Sequence, residues 1–108
     1  MFEVEIYDEK TEQFINSLPP KLKVKTFDNM ALLESFGNEL KKPFVESFGQ
    51  GLFELRSKSE EGISRLFFTY QKGRIIIIFY GFIKKTQKTP QSELEKARKI
   101  LKEIKDKM

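Results

Sequence analysis

Apolar and polar residues alternate at the start of the chain, with Phe2, Val4 and Ile6 set against Glu3, Glu5 and Tyr7. A period of two predicts a strand with one buried face. Asp8 and Thr11 both suit a helix cap, and Phe14, Ile15 and Leu18 then mark a short helix that Pro19-Pro20 ends. From Lys21 to Phe36 the spacing lengthens. Val24, Phe27 and Ala31, with Met30 and Leu33, supply the apolar stripe of a second helix. Gly37 stands where a left-handed C-cap belongs, and Asn38 follows. Two antiparallel helices joined by a proline turn would cover one face of a sheet. Asn38 to Gln50, with Pro43 and Gly49, reads as a polar connection without regular structure.

Leu52 begins a meander of three strands, expected over residues 52–58, 63–71 and 74–83. The turns are Ser59-Glu60-Glu61-Gly62 and Lys72-Gly73. The apolar run Ile75 to Phe79 reads as a buried central strand. Thr89-Pro90 reads as a helix start, Thr89 capping free N–H groups and Pro90 taking the first helical position. The last helix runs from about Pro90 to Lys107, with Leu94, Ala97, Ile100, Leu101, Ile104 and Met108 as its stripe. The order is strand, two helices, three-stranded meander, helix. This predicts an α+β fold, a small antiparallel sheet packed on helices, in a single domain over residues 1–108.

The turns also predict register. A loop over 59–62 pairs Lys58 with Ile63 and places Arg56 opposite Arg65; a two-residue loop at Lys72-Gly73 pairs Gln71 with Arg74 and places Arg65 opposite Tyr80. One row then reads Arg56, Arg65, Tyr80, with Lys84 further along the same face. The next row reads Glu54, Phe67, Ile78. The other face carries Phe53, Leu55, Leu66, Phe68, Ile77 and Phe79, suited to packing on helices. Two arginines directly opposite each other repel unless an anion lies between them. Arginine's planar fork suits phosphate, and tyrosine can stack a base. The plainer alternative pairs Arg56 with Glu54 or Glu61 and leaves Arg65 a solvated strand residue. A slip of one residue would flip every side chain in a strand.

Charge sharpens this picture. The net charge is +4, but residues 1–50 carry 6 basic and 9 acidic side chains, whereas residues 51–108 carry 14 basic and 7 acidic. The basic half is where a phosphate-bearing partner would bind. Lys84, Lys85 and Lys88 stand together after the last strand with no acid among them, beside the positive end of the next helix. They are either an anion site or a solvated loop. With 39% hydrophobic and 33% charged residues in a chain of 108, one soluble domain is expected. No apolar run approaches the ~20 residues of a membrane span, and the acidic, alternating N-terminus is unlike a signal peptide. The absence of cysteine excludes disulfides and fits a cytoplasmic location. The absence of histidine removes the commonest general base and the commonest metal ligand.

These residues carry a resemblance. Gly51-Leu52-Phe53-Glu54-Leu55-Arg56, then Arg65, then Phe79-Tyr80-Gly81-Phe82-Ile83-Lys84-Lys85-Thr86-Gln87-Lys88-Thr89-Pro90 with Glu93 and Ala97, resemble the HigB-like branch of the RelE/ParE toxin superfamily. That branch includes phage-derived Gp49-like proteins. Thr11, Phe14 and Leu18-Pro19 also fit it, and the resemblance spans nearly the whole chain.

The resemblance implies the toxin half of a bacterial toxin–antitoxin pair, an endoribonuclease that cuts mRNA in the ribosomal A site, with contacts to ribosomal RNA. The implied partner is a cognate antitoxin of helix-turn-helix, HigA-like type, through which alone operator DNA would be reached; no membrane is involved. The implied chemistry needs no cofactor or metal. The ribose 2′-OH attacks the adjacent phosphate, which requires a base, charge stabilisation and an acid. The resemblance carries over Arg56, Arg65, Tyr80, Lys84 and Lys85 as catalytic candidates and Glu54 and Lys88 as substrate-binding ones. Lys84 or Lys85 is the candidate base, because neighbouring cations lower a lysine's pKa; Glu54 is a second, weaker candidate. Some relatives use histidine and aspartate in these roles, and this chain has no histidine. Two other functions share the features: a ParE-like toxin acting on DNA gyrase, and a nucleic-acid-binding module without catalysis.

Overall fold

A computed structural model of the chain describes residues 1–85 and 88–107. Thr86 and Gln87, inside the lysine-rich stretch, and Met108, expected to end the last apolar stripe, lie outside the described residues. The elements are β1 (Glu3–Ile6), α1 (Glu9–Asn16), α2 (Pro20–Phe36), a 3₁₀ turn (Gly37–Glu39), β2 (Val45–Gly49), β3 (Leu52–Ser59), β4 (Gly62–Gln71), β5 (Ile75–Lys84) and α3 (Gln91–Asp106). Among the described residues no helix is long and apolar enough to cross a membrane.

The strands form one sheet in the order β1-β5-β4-β3-β2. The meander β3-β4-β5 is antiparallel, as the hairpin turns require. The sheet differs from the expected antiparallel one at both edges. β1 runs parallel to β5, Glu3 beside Ile75 and Ile6 beside Ile78. Val45–Gly49, expected to be irregular, is an edge strand against β3. It is short and broken by a register shift between Ser47 and Gly49, so its alternation is too brief to read.

Both faces of the sheet are covered. Ile15 and Leu18 at the end of α1 and Leu22 and Leu33 of α2 pack on Leu55, Leu66, Phe68, Ile76 and Ile78. Ala97, Leu101 and Ile104 of α3 pack on Leu52, Phe67, Ile77, Phe79 and Phe82. Each of the leucine, isoleucine and phenylalanine side chains contributes roughly 1.5–3 kcal/mol when fully buried.

α2 is turned away from its expected face. Its buried positions are Leu22, Thr26, Asn29 and Leu33, while Val24, Phe27 and Ala31 face outward. The polar pair inside is satisfied: the Thr26 hydroxyl lies 2.7 Å from Ser64 Oγ and donates to the Leu22 carbonyl at 2.8 Å, and Asn29 Nδ2 donates to Ser57 Oγ at 3.0 Å and the Arg56 carbonyl at 3.2 Å. Hydrogen bonds to β3 and β4 thus replace apolar contact in the middle of the helix. At its C-terminus Gly37 has φ 53°, and a Cβ there would lie 2.0 Å from the Phe2 ring, so a side chain is excluded twice over.

Register explains where the site residues fall. Arg56 does lie opposite Arg65, and Lys58 opposite Ile63. The second hairpin is wider than expected: Gln71 pairs with Ile75, and Arg74 takes a left-handed conformation at φ 68°. A bulge then makes β5 gain one more residue, because Phe68 faces Ile78 whereas Phe67 faces Tyr80. Arg65 therefore lies opposite Phe82, not Tyr80, and the next row reads Glu54, Phe67, Tyr80. Two one-residue shifts cancel in parity, so Tyr80 and Lys84 keep the Arg65 face. Between the shifts the faces are exchanged. Ile77 and Phe79 join the α3 side, and Ile78 joins the α1/α2 side. The buried Thr11 hydroxyl lies 3.1 Å from the Phe79 carbonyl at the bulge and 2.6 Å from Asp8 Oδ1. Asp8 also caps α1, accepting from Thr11 N at 2.9 Å.

Candidate functional site

Two arginines facing each other across β3 and β4 need an anion, and the chain supplies its own. The Glu54 carboxylate, two residues along β3 from Arg56, ion-pairs with Arg56 Nε and lies 3.9 Å from Arg65 Nη1. Thr89 completes the arrangement. Its hydroxyl donates to Glu54 Oε2 at 2.8 Å and accepts from Arg65 Nη1 at 3.0 Å and Arg56 Nη2 at 3.2 Å. One proton goes out and two come in, which uses the hydroxyl fully. Thr89 is thus not the cap of α3. The helix begins at Gln91 with Pro90 at the cap position and no side-chain cap bond.

Burial divides the group. Glu54 and Arg65 are 0% exposed, whereas the Arg56 side chain is 23% exposed. Burial lowers the Arg65 pKa, Glu54 counteracts this, and Arg56 lowers it further. Arg65 also meets the edge of the aromatic ladder, its guanidinium 5.9 Å from the Phe82 ring centre. In this geometry Arg65 and Glu54 cannot touch a substrate. They hold Arg56, which a third contact also steadies, Glu46 Oε1 lying 3.7 Å from Arg56 Nη1. Breaking such a buried pair by removing one partner costs about 3–5 kcal/mol.

Arg56 looks into an open groove of about 560 Å³ lined also by Glu46, Phe48, Lys88, Thr89, Pro90 and Leu94. Lys88 is exposed at its edge. Lys84 closes β5 opposite Ile63, and Lys84 and Lys85 are both exposed. Tyr80 is elsewhere. It lines a separate groove of about 470 Å³ with Tyr7, Lys96, Lys99 and Glu103. Gln91 and Leu94 line the Arg56 groove and Lys96, Lys99 and Glu103 the Tyr80 groove, so α3 lies between them. The Tyr80 phenol donates to Glu93 Oε1 at 2.6 Å, and its ring stacks on Phe67 at 6.0 Å and 7°. Burial, then the Glu93 bond, raises its pKa, so Tyr80 is a neutral donor at ordinary pH.

Of the residues singled out from sequence, the structure brings Glu54, Arg56, Arg65 and Lys88 to one groove and its floor. It leaves Lys84 and Lys85 at the end of β5 and puts Tyr80 across α3. Sequence reading missed Thr89 as the link between the arginines and Glu46 as the carboxylate beside them. In the sequence, Thr89 before Pro90 has the pattern of a helix cap, and Glu46 lies in a stretch too short to show alternation.

The close approach of α1 to β5 rests on Gly81, which pairs with Leu66 within the strand. A Cβ there would lie 2.6 Å from the Phe14 ring and 2.7 Å from Leu66 Cδ2. No larger residue allows α1 to approach β5 so closely.

Comparison with known proteins agrees with this architecture. A chain of the archaeal RelE–RelB complex from Pyrococcus horikoshii OT3 is similar with a TM-score of 0.57 over 77% of this chain and 94% of that one, at 18% sequence identity. At that identity the likeness is one of fold. No curated protein gives a significant match. Residues 13–102 match the family described as "Phage derived protein Gp49-like (DUF891)". With the match spanning most of the sequence, the chain belongs to the Gp49-like family, and its fold is like that of the chain in the RelE–RelB complex.

Proposed function

We propose that this chain is the toxin of a toxin–antitoxin pair and acts as a ribosome-dependent endoribonuclease on translated mRNA in the cytoplasm. The observation that carries the reading is the buried Glu54–Thr89–Arg65 assembly, which fixes Arg56 at the wall of an open groove beside Lys88. A guanidinium held from behind is preorganised for charge that develops on a phosphate.

In the reaction the 2′-oxygen forms a bond to the adjacent phosphorus and the bond from phosphorus to the 5′-oxygen breaks. The products are a cyclic 2′,3′-phosphate and a free 5′-OH. A base removes the 2′-OH proton and an acid protonates the leaving oxygen. Arg56 stabilises the phosphorane, with Arg65 and Glu54 as positioning residues beneath it. Lys84 or Lys85 takes the proton from the 2′-OH, and Lys88 holds the strand. Tyr80, tied to Glu93, positions the first turn of α3. The partner is an antitoxin that neutralises the protein.

A second reading has its own support. Because Glu54 and Glu46 already pair with the two arginines, the fold needs no phosphate between them, as suits a gyrase-directed toxin or a binding module. Primer extension on a translated reporter mRNA and on an untranslated copy, after induction in bacteria, separates these. Cleavage confined to the translated copy supports the nuclease. Growth arrest with both copies intact supports the gyrase-type toxin.

A further inference from the structure

A third groove of about 500 Å³ opens between α2 and the β2–β3 edge of the sheet. Its rim carries Lys25 from α2, Lys42 from the segment before β2, and Lys58 and Arg56 from β3. Its floor is apolar, with Phe44, Val45 and Ile63. Arg56 and Glu46 line both this groove and the one beside Lys88, so the two are continuous across that pair. Along the joined track stand five cations, Lys25, Lys42, Arg56, Lys58 and Lys88, and one carboxylate, Glu46. Glu46 is shared between Lys42 at 3.5 Å and Arg56 at 3.7 Å. Among the described residues Lys25 and Lys58 make no ion pair. Asn29, hydrogen-bonded to the Arg56 carbonyl and Ser57 Oγ, fixes the α2 wall against β3.

We infer that the Lys25–Lys42–Lys58 groove is a binding track for single-stranded RNA, holding phosphates of the strand that continues past Arg56. This inference rests on the nuclease reading and deepens it. A cationic rim over a floor with an aromatic ring is what an unpaired strand requires, phosphates meeting the lysines and a base meeting Phe44. A duplex is too wide to reach the floor of a groove of about 500 Å³, whereas a single strand can enter it. The position is set by continuity: the same guanidinium that faces the cleaved phosphate forms the near end of the track.

The test is a salt titration of a fluorescent single-stranded RNA oligonucleotide by anisotropy, with wild-type protein and the K25A/K42A/K58A variant. All three lysines are exposed, so the variant keeps the fold, which circular dichroism checks. Each lost phosphate contact lowers the slope of log K against log salt by about 0.7 for a single strand. The expected change is therefore about 2. An unchanged slope and affinity overturn the track. If the wild type still cleaves translated mRNA in that case, the nuclease reading stands and only the track falls. If the wild type neither binds the oligonucleotide nor cleaves, both fall. Co-sedimentation with ribosomes lacking mRNA distinguishes the source of the RNA: retention of the variant assigns the track to the message, and its loss assigns it to ribosomal RNA. A glutamate-rich peptide whose binding drops in the variant while RNA binding does not would give the groove to a protein partner and overturn the proposal.

Discussion

Replacing Glu54 by glutamine keeps shape and removes charge from the one carboxylate set between Arg56 and Arg65. Both Glu54 and Arg65 are fully buried, so water cannot substitute for the lost charge. Removing one member of a buried ion pair costs about 3–5 kcal/mol. A domain of 108 residues has about 5–16 kcal/mol in total at ~0.05–0.15 kcal/mol per residue. With a urea slope of about 2 kcal/mol per molar, the midpoint should fall by about 2 M. Urea unfolding followed by far-UV circular dichroism measures this. Glu46→Gln is the control. Glu46 is 25% exposed and its ion-pair distances are 3.5 and 3.7 Å, so it should cost under about 1 kcal/mol. Glu54→Gln/Arg65→Met, which removes both charges, should recover part of the loss. If Glu54→Gln unfolds within about 0.5 kcal/mol of wild type, the carboxylate does not hold the arginines and the preorganisation argument fails.

Other outcomes test other parts of the structure. Leu22→Ala should cost about 2–5 kcal/mol and Val24→Ser less than about 0.5 kcal/mol by urea unfolding, because α2 buries the first and exposes the second. Gly81→Ala should lose about 1–3 kcal/mol by the same measurement, since its methyl meets Phe14 and Leu66. Tyr80 and Tyr70 have raised pKa values, chiefly from burial, so the folded state holds those protons more tightly than the unfolded one. Their contribution is complete below about pH 10, the ordinary tyrosine value, and is lost as pH rises beyond it. Tyr80→Phe should flatten the loss of stability above that pH, and a curve unchanged by the substitution would count against the buried phenol. Lys84→Ala should leave the circular dichroism spectrum unchanged and lower mRNA cleavage on ribosomes by about 10²–10⁴, the usual share of a general base; full activity would place the base elsewhere.

Much of the fold was readable because its signals are local. Alternation marked β1, and the turns at 59–62 and near 72–73 marked the meander. The Arg56–Arg65 pairing followed from one well-placed turn. What could not be read depends on contacts across the fold. Arg74 in the left-handed region and the bulge facing Phe67 each moved β5 by one residue, and neither has a strong sequence mark. Val24, Phe27 and Ala31 have helical spacing, but Thr26 and Asn29 find hydrogen-bond partners on β3 and β4 and so win the inner face. Of the two readings of the facing arginines, the plainer one holds for Arg56, which pairs with Glu54, whereas Arg65 is buried and not solvated. That Glu54 serves both arginines, with Thr89 as its bridge, needs α3 to be laid over that face, which no strand register reveals.

We propose that Arg56, held by Glu54, Thr89 and Arg65, faces the phosphate that is cut. The most direct measurement incubates purified protein with ribosomes carrying a defined mRNA and identifies the new RNA ends, for wild type and for Arg56→Ala. The wild type should leave a cyclic 2′,3′-phosphate and a 5′-OH, with the rate lowered by about 10²–10³ in a folded Arg56→Ala protein. Equal cleavage by the two folded proteins, or no cleavage by the wild type, would contradict that placement of Arg56.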